Sequence, residues 1–323
     1  MTVTSGIVIG YGSIGARHAD NLLAIAPGLD LTIVTRRGDL RTNRMRVERD
    51  LARALAAKPD FAVVASESHR HAEHIVALLQ AGVPCYVEKP AVTDFGQLER
   101  VRAEIAKLGR APVTLAGCNM RYLASLQRLR ALLREGAIGT VVRAVLQAGA
   151  WLPDWRPERD YRTGYGASAT GGGVVLDLVH ELDQSRWLFG EFDEVAAMTG
   201  KLSSLEVQAE DSACVLLRAR THGPLVMVGL DYVARAPVRR YELVGEKGTL
   251  TWDLHAKLLT HAGPGGRSAH DCGPGAYDMA ETYVSAMREF LQCVGAGAPT
   301  SQPLEDGLKS AELALRAKAS AQR

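Results

Sequence analysis

The side chains best suited to moving a proton lie in two short stretches of this sequence. The first is Cys85-Tyr86-Val87-Glu88-Lys89-Pro90, a strand-like run that ends in a charged pair and a proline. An ammonium at Lys89 supplies positive charge where a hydroxyl becomes an alkoxide as hydride leaves its carbon. Pro90 biases Lys89 towards an extended backbone, which helps aim its side chain. An ordinary exposed Glu–Lys pair is the plainer alternative. The second stretch is Gly171-Gly172-Gly173 followed by Val174 to Phe189, an apolar segment predicted as one helix and punctuated by Asp177, His180 and Asp183. At helical spacing each aspartate stands about 60° from His180. A histidine flanked by carboxylates serves as a general base with a fixed tautomer. A helix-packing network satisfied within itself is the alternative.

These residues need a scaffold, and the N-terminus announces one. Ile7-Val8-Ile9 reads as a buried strand ending in Gly10-Tyr11-Gly12-Ser13-Ile14-Gly15, with a helix following to Ile25. Gly10 permits the turn, Gly12 lets the backbone approach a pyrophosphate, and Gly15 allows close helix–strand packing. This strand–turn–helix setting makes Gly10, Gly12, Ser13, Ile14 and Gly15 candidate dinucleotide contacts. Leu29 to Thr35 reads as the second strand, and Arg36 and Arg37 follow it. Arginines at that corner pair with the extra phosphate of NADP, whereas a carboxylate would favour NAD, and Asp39 comes too late for that role. NADP is therefore the preferred cofactor and NAD the alternative.

The α/β alternation continues through a helix over Arg46 to Ala57, a buried strand at Phe61 to Ala65, helices at Ala72 to Ala81 and Phe95 to Gly109, and a strand at Val113 to Cys118. Ser66 opens a loop at a strand's carboxyl end, where ligands of such sheets bind, and His71 is a further cofactor candidate. His69, His71 and His74 lack a Cys or carboxylate to complete a metal site, so no metal is expected.

The pattern changes at Asn119. A helix over Arg121 to Glu135 precedes widely spaced strands at Val141 to Ala148, Glu194 to Thr199, Ala213 to Ala219, Leu225 to Tyr232, Tyr241 to Val244 and Thr249 to Asp253. The expected architecture is α/β: an N-terminal Rossmann dinucleotide-binding domain, 1–118, and a C-terminal α+β domain with a mostly antiparallel sheet, 119–323, for substrate and oligomerisation. Leu225 to Leu230 is apolar on both faces, so both sides of the sheet are expected to be covered, one by helices and one by a second subunit of a dimer or tetramer. A long loop carries Trp151, Trp155, Tyr161, Arg162 and Tyr165. Its aromatics suit stacking on a sugar ring, although a loop merely anchored by its tryptophans is the alternative. Asn119, Arg121, Trp155, Tyr161, Arg162 and Tyr165 are the candidate substrate contacts besides Lys89, Asp177 and His180. Gly263 to Gly275 reads as a surface loop, and two amphipathic helices, Met279 to Val294 and Leu304 to Ala317, close the chain.

Composition narrows the function. Lys and Arg total 38 against 36 Asp and Glu, so no overall field recruits nucleic acid or a membrane. The five scattered cysteines contain no CxxC pair and suit reduced, mostly buried thiols. No leader-like segment or apolar span is visible, so a cytoplasmic enzyme is expected.

Taken together, Gly10-x-Gly12-x-x-Gly15, Glu88-Lys89-Pro90 and Gly171-Gly172-Gly173 with Asp177 and His180 make the chain resemble the Gfo/Idh/MocA oxidoreductases. The resemblance implies Lys89 beside nicotinamide and substrate as electrostatic and relay residue, with Glu88 nearby. It implies His180 as acid/base and Asp177 as its orienter or a hydroxyl ligand. The common family spacing puts the histidine four residues after the aspartate. Here it is three, which resembles a shorter-spaced subgroup, as do Leu152-Pro153-Asp154-Trp155 and Asp160-Tyr161-Arg162. Members of that subgroup are associated with acidic or nucleotide-linked sugars. The expected reaction interconverts a secondary alcohol and a ketone on a sugar, cyclitol or related polyol. The alternatives are an enzyme that recycles tightly held NAD, as in epimerases or glycosidases, and a non-catalytic NADP-binding regulator.

Overall fold

The computed structural model describes residues 3–38, 40, 42–109, 111–219 and 223–321; Asp39 lies outside them. Two compact units emerge, Met1–Asn119 with Tyr283–Ala311, and Met120–Thr282 with Glu312–Arg323. The segment Tyr283–Ala311 thus packs with the N-terminal unit, although it follows the whole second sheet in sequence.

The first unit is built on a six-stranded sheet. Its strands are β1 (Ser5–Ile9), β2 (Asp30–Val34), β3 (Arg46–Glu48), β4 (Phe61–Val64), β5 (Cys85–Glu88) and β6 (Thr114–Gly117), in the spatial order β3-β2-β1-β4-β5-β6. Every pairing is parallel, the doubly wound order that places ligands at the carboxyl edge. Helices α1 (Ser13–Ile25), α2 (Leu51–Ala56), α3 (His71–Gln80) and α4 (Phe95–Lys107) connect the strands. The strands are apolar on both faces because both are covered: Phe61, Ala62, Val63 and Val64 are all buried. Arg46 to Ala57 is not one helix. Val47 pairs with Ile33 at the sheet edge, and Asp50 caps α2 by accepting from the Ala52 N–H at 2.8 Å.

The second unit carries α5 (Ala124–Arg134), β7 (Val141–Gly149), α6 (Val174–Asp177), α7 (His180–Phe189), β8 (Glu194–Gly200), β9 (Ser212–Arg218), β10 (Leu225–Asp231), β11 (Val238–Gly245), β12 (Gly248–Asp253), β13 (Leu258–Gly263) and β14 (Gly266–Ala269). Its eight strands run β14-β13-β12-β11-β7-β10-β9-β8. Among the described residues only β7 and β10 pair in parallel, so the sheet is mixed and mostly antiparallel. The predicted surface loop at Gly263 to Gly275 is in part an edge hairpin, with Gly263 paired to Gly266 and Gly266 at φ +103°. Helices α8 (Met279–Ala296) and α9 (Leu304–Ser320) complete the chain.

Alternation decides which face of this sheet is core. Val226, Val228 and Leu230 of β10 are buried with Val215 and Leu217 of β9. On the opposite face Leu225 is 46% and Leu216 45% exposed, and Met198 of β8 82%. Within the single chain these described residues leave the second face open, the face for which a second subunit is expected.

Candidate active site

The carboxyl edge of the first sheet assembles the dinucleotide candidates. Gly10 sits at φ +94°, and a Cβ there would lie 2.6 Å from backbone atoms of Ala65 and Ser66. One on Gly15 would lie 2.2 Å from the Gly10 carbonyl oxygen. These two glycines serve the protein's own packing. Gly12 differs, because a Cβ there would meet nothing within 4 Å. Its bareness keeps open the space before the first turn of α1, where among the described residues no side chain caps the N–H groups and the turn itself carries no acidic residue. That arrangement fits a pyrophosphate. Beyond β2, Thr35 is buried and accepts from the Arg37 N–H at 3.3 Å. The Arg37 guanidinium donates to the Tyr11 carbonyl at 3.4 Å, and Arg36 is exposed.

Helix α3 buttresses this edge. His74 Nδ1 lies 2.9 Å from Ser66 Oγ. His71 is buried with Nε2 2.9 Å from the Ser66 carbonyl and Nδ1 2.9 Å from that of Pro90. His71 therefore turns both ring nitrogens towards backbone carbonyls of neighbouring loops, and a neutral ring donates to one of them. Burial pushes both imidazoles below their ordinary value, that of His74 to about 4. Among the described residues no three His, Cys, Asp or Glu side chains group as a metal ion requires.

Lys89 follows β5, half-buried, and its peptide with Pro90 is cis. Its backbone N–H donates to Glu88 Oε2 at 3.2 Å. Glu88 Oε1 lies 2.7 Å from Nε2 of His18 on α1. Asn119 is buried at the end of this unit's first segment.

In the second unit, the helix predicted over Val174 to Phe189 is broken. Leu178 turns to φ −94°, ψ 32° between α6 and α7, so the 60° spacing derived for Asp177 and His180 does not apply. β-Branched Val174, Val175 and Val179 weaken helix continuity, and Asp177 is held elsewhere. Its carboxylate accepts from the Tyr165 hydroxyl at one oxygen and from the Tyr232 hydroxyl at the other, the latter at 3.1 Å. Burial and the Asp177 charge raise the Tyr232 phenol well above its usual range, which keeps it a donor. Tyr232 was not singled out by sequence; only its place directly after a strand marks it.

Asp183 does not flank the histidine as a catalytic partner. It is fully buried in a bidentate pair with Arg121, Nε–Oδ2 2.9 Å and Nη2–Oδ1 2.5 Å. This pairing commits the guanidinium expected to meet substrate. Buried His180 opens α7. In the long loop, Trp155 packs edge-on against Tyr232 with centroids 5.5 Å apart. Arg162 is tied to Asp160 and Glu206, and the Tyr161 hydroxyl accepts from the Glu206 N–H. Tyr165 and Trp155 therefore gather on Asp177 and Tyr232, whereas Tyr161 and Arg162 brace the loop. Among the described residues no disulfide joins the cysteines; Cys85 and Cys118 are buried and Cys214 is exposed.

The NAD-binding Rossmann-fold model of an oxidoreductase family matches residues 5–115, and the Gfo/Idh/MocA C-terminal domain model matches 126–251. Similar relatives include inositol 2-dehydrogenase 2 of Saccharopolyspora erythraea, 30% identical over 92% of this chain and 86% of that one. D-apiose dehydrogenase of Paraburkholderia graminis is 29% identical over 83% and 72%. An oxidoreductase of Agrobacterium radiobacter, solved with NAD+, L-tartaric acid and magnesium, shares the fold. Its TM-score is 0.84 at 21% identity, over 100% of this chain and 97% of the other. The chain belongs to the Gfo/Idh/MocA family and is a nicotinamide-dependent dehydrogenase acting on an alcohol carbon.

Proposed function

We propose that the enzyme interconverts a secondary alcohol and a ketone on a sugar or cyclitol and prefers NADP over NAD. The observation that carries the substrate class is the similarity, over most of the chain, to inositol and D-apiose dehydrogenases. The carboxylate of Asp177, held by two phenols beside Trp155, supports it as a polyol-facing group. Dinucleotide binding falls to the first unit, through the Gly10–Gly15 turn, with Arg36 and Arg37 placed after β2 to meet a 2′-phosphate. Bound nicotinamide supplies the hydride acceptor. In the oxidative direction His180 accepts the hydroxyl proton and the Lys89 ammonium stabilises the developing alkoxide. Asp177 fixes a substrate hydroxyl, in company with Tyr165.

Polyol binding and self-association fall to the second unit. The outer face of its sheet, with Met198, Leu216 and Leu225 exposed, is the surface for a dimer or tetramer. Among the described residues no helix is long and apolar enough to cross a membrane, and the cytoplasm is the proposed location. The test is nicotinamide absorbance with NADP or NAD across a panel of inositols, aldoses and sugar acids. Turnover on a polyol supports the reading, and a protein inert on every one contradicts it.

A further inference from the structure

We propose that His18 is a positioning residue for Lys89, acting through Glu88. The proposal rests on reading Lys89 as the residue beside the reacting carbon, and it adds the device that fixes that lysine.

His18 lies on α1, three residues past Gly15, and is wholly buried. Its Nε2 is 2.7 Å from Glu88 Oε1. The other oxygen of Glu88 accepts the backbone N–H of Lys89. One carboxylate, itself 5% exposed, thus joins the histidine on one side to the lysine's own peptide on the other. Among the described residues His18 Nδ1 is buried with no hydrogen-bond partner. Nε2 is thus the nitrogen that faces an acceptor, and its N–H is the one this geometry uses. The Glu88 side chain meets two donors.

The surroundings hold this arrangement rigidly. The His18 ring packs 4.9 Å from Tyr86 and 6.0 Å from Tyr283 between centroids. Arg17 sits 4.8 Å over the Tyr283 ring. His71, across on α3, feels the Glu88 charge and bonds the Pro90 carbonyl. The Glu88-Lys89-Pro90 turn is consequently gripped at Glu88 by the helix that begins at the glycine turn and at Pro90 by α3. Without the His18 donor, a buried carboxylate would keep only the Lys89 N–H. It would then turn towards other donors, and the lysine would lose its fixed environment.

The experiment uses the full chain without added ligand. Lys89 is labelled with trinitrobenzenesulfonate at one fixed pH, quantified by peptide mass mapping and normalised to exposed Lys257. His18→Leu is expected to change the Lys89 labelling rate at least fivefold. His18→Gln, whose amide N–H substitutes for Nε2–H, should stay within twofold of the parent. Equal labelling in His18→Leu and parent would overturn the proposal, even with a lowered melting temperature. So would a His18→Gln variant displaced as far as His18→Leu. Should His18→Leu fail to fold, Glu88→Gln fills the same space and is held to the same fivefold criterion. No turnover enters the readout, so the absence of polyol activity would count against the proposed reaction and not against this link.

Discussion

Tyr232, at the end of β10, donates its hydroxyl to Asp177 of α6, 55 residues earlier in the chain, at 3.1 Å. With Tyr165 on the other oxygen, Asp177 stands as a fixed acceptor whose orientation two phenols determine. Tyr232→Phe leaves the ring packing against Trp155 and removes one buried hydrogen bond. It should cost about 1–3 kcal/mol of stability and raise KM for the polyol more than it lowers kcat. Denaturant melts and steady-state kinetics read both quantities.

Gly12→Ala separates binding from folding. An added methyl there meets no protein atom, so stability should stay within about 0.5 kcal/mol. Dinucleotide affinity should fall at least about tenfold, or about 1.4 kcal/mol, because the methyl stands where a pyrophosphate approaches. Gly15→Ala should instead unfold the turn, since its methyl would lie 2.2 Å from a carbonyl oxygen. Calorimetric titration with thermal melts distinguishes the two.

Arg36 is the cofactor-selectivity test. Arg36→Ala should weaken NADP binding by about 1.5–3 kcal/mol, the range for a charge-assisted hydrogen bond, and leave NAD affinity within about twofold. Tighter binding of NAD than NADP by the parent would contradict the role given to Arg36.

His74 sets an acid limit on stability. Its folded pKa of about 4 lies below the ordinary imidazole value of 6.5, because burial and the Arg70 charge disfavour the proton. The unfolded chain therefore binds that proton first. The stability His74 contributes is complete above pH 6.5 and is lost as pH falls towards 4, by about 3 kcal/mol, the gap from 6.5 to about 4 taken at about 1.4 kcal/mol per pKa unit. His74→Asn keeps a partner for Ser66 and should flatten this part of the stability profile.

The parts of the site that are readable in sequence are local ones. The Gly10–Gly15 turn, Glu88-Lys89-Pro90 and the strand alternation are written within a few residues, because turn sterics and sheet burial act over that range. What escaped reading depends on distant segments. Asp177 takes its partners from Tyr165 and Tyr232, and that, with the break at Leu178, invalidates helical spacing as a guide to His180. Arg121 looked available for substrate until its fork met Asp183, 62 residues away. Val47 reads as helical until the free edge of β2 draws it into a strand. The return of Tyr283–Ala311 to the first unit likewise rests on packing, with Phe290 meeting Phe61 and Tyr86 edge-on.

Lys89 is the residue proposed to stabilise charge on a polyol oxygen as hydride leaves. The most direct measurement of that role is kcat on the best polyol for parent and Lys89→Ala, with dinucleotide affinity determined on the same samples. Lys89→Ala should lower kcat by about 10²–10³, the range for removing one preorganised electrostatic group, with affinity for the dinucleotide within about twofold. Undiminished turnover by Lys89→Ala would contradict that role.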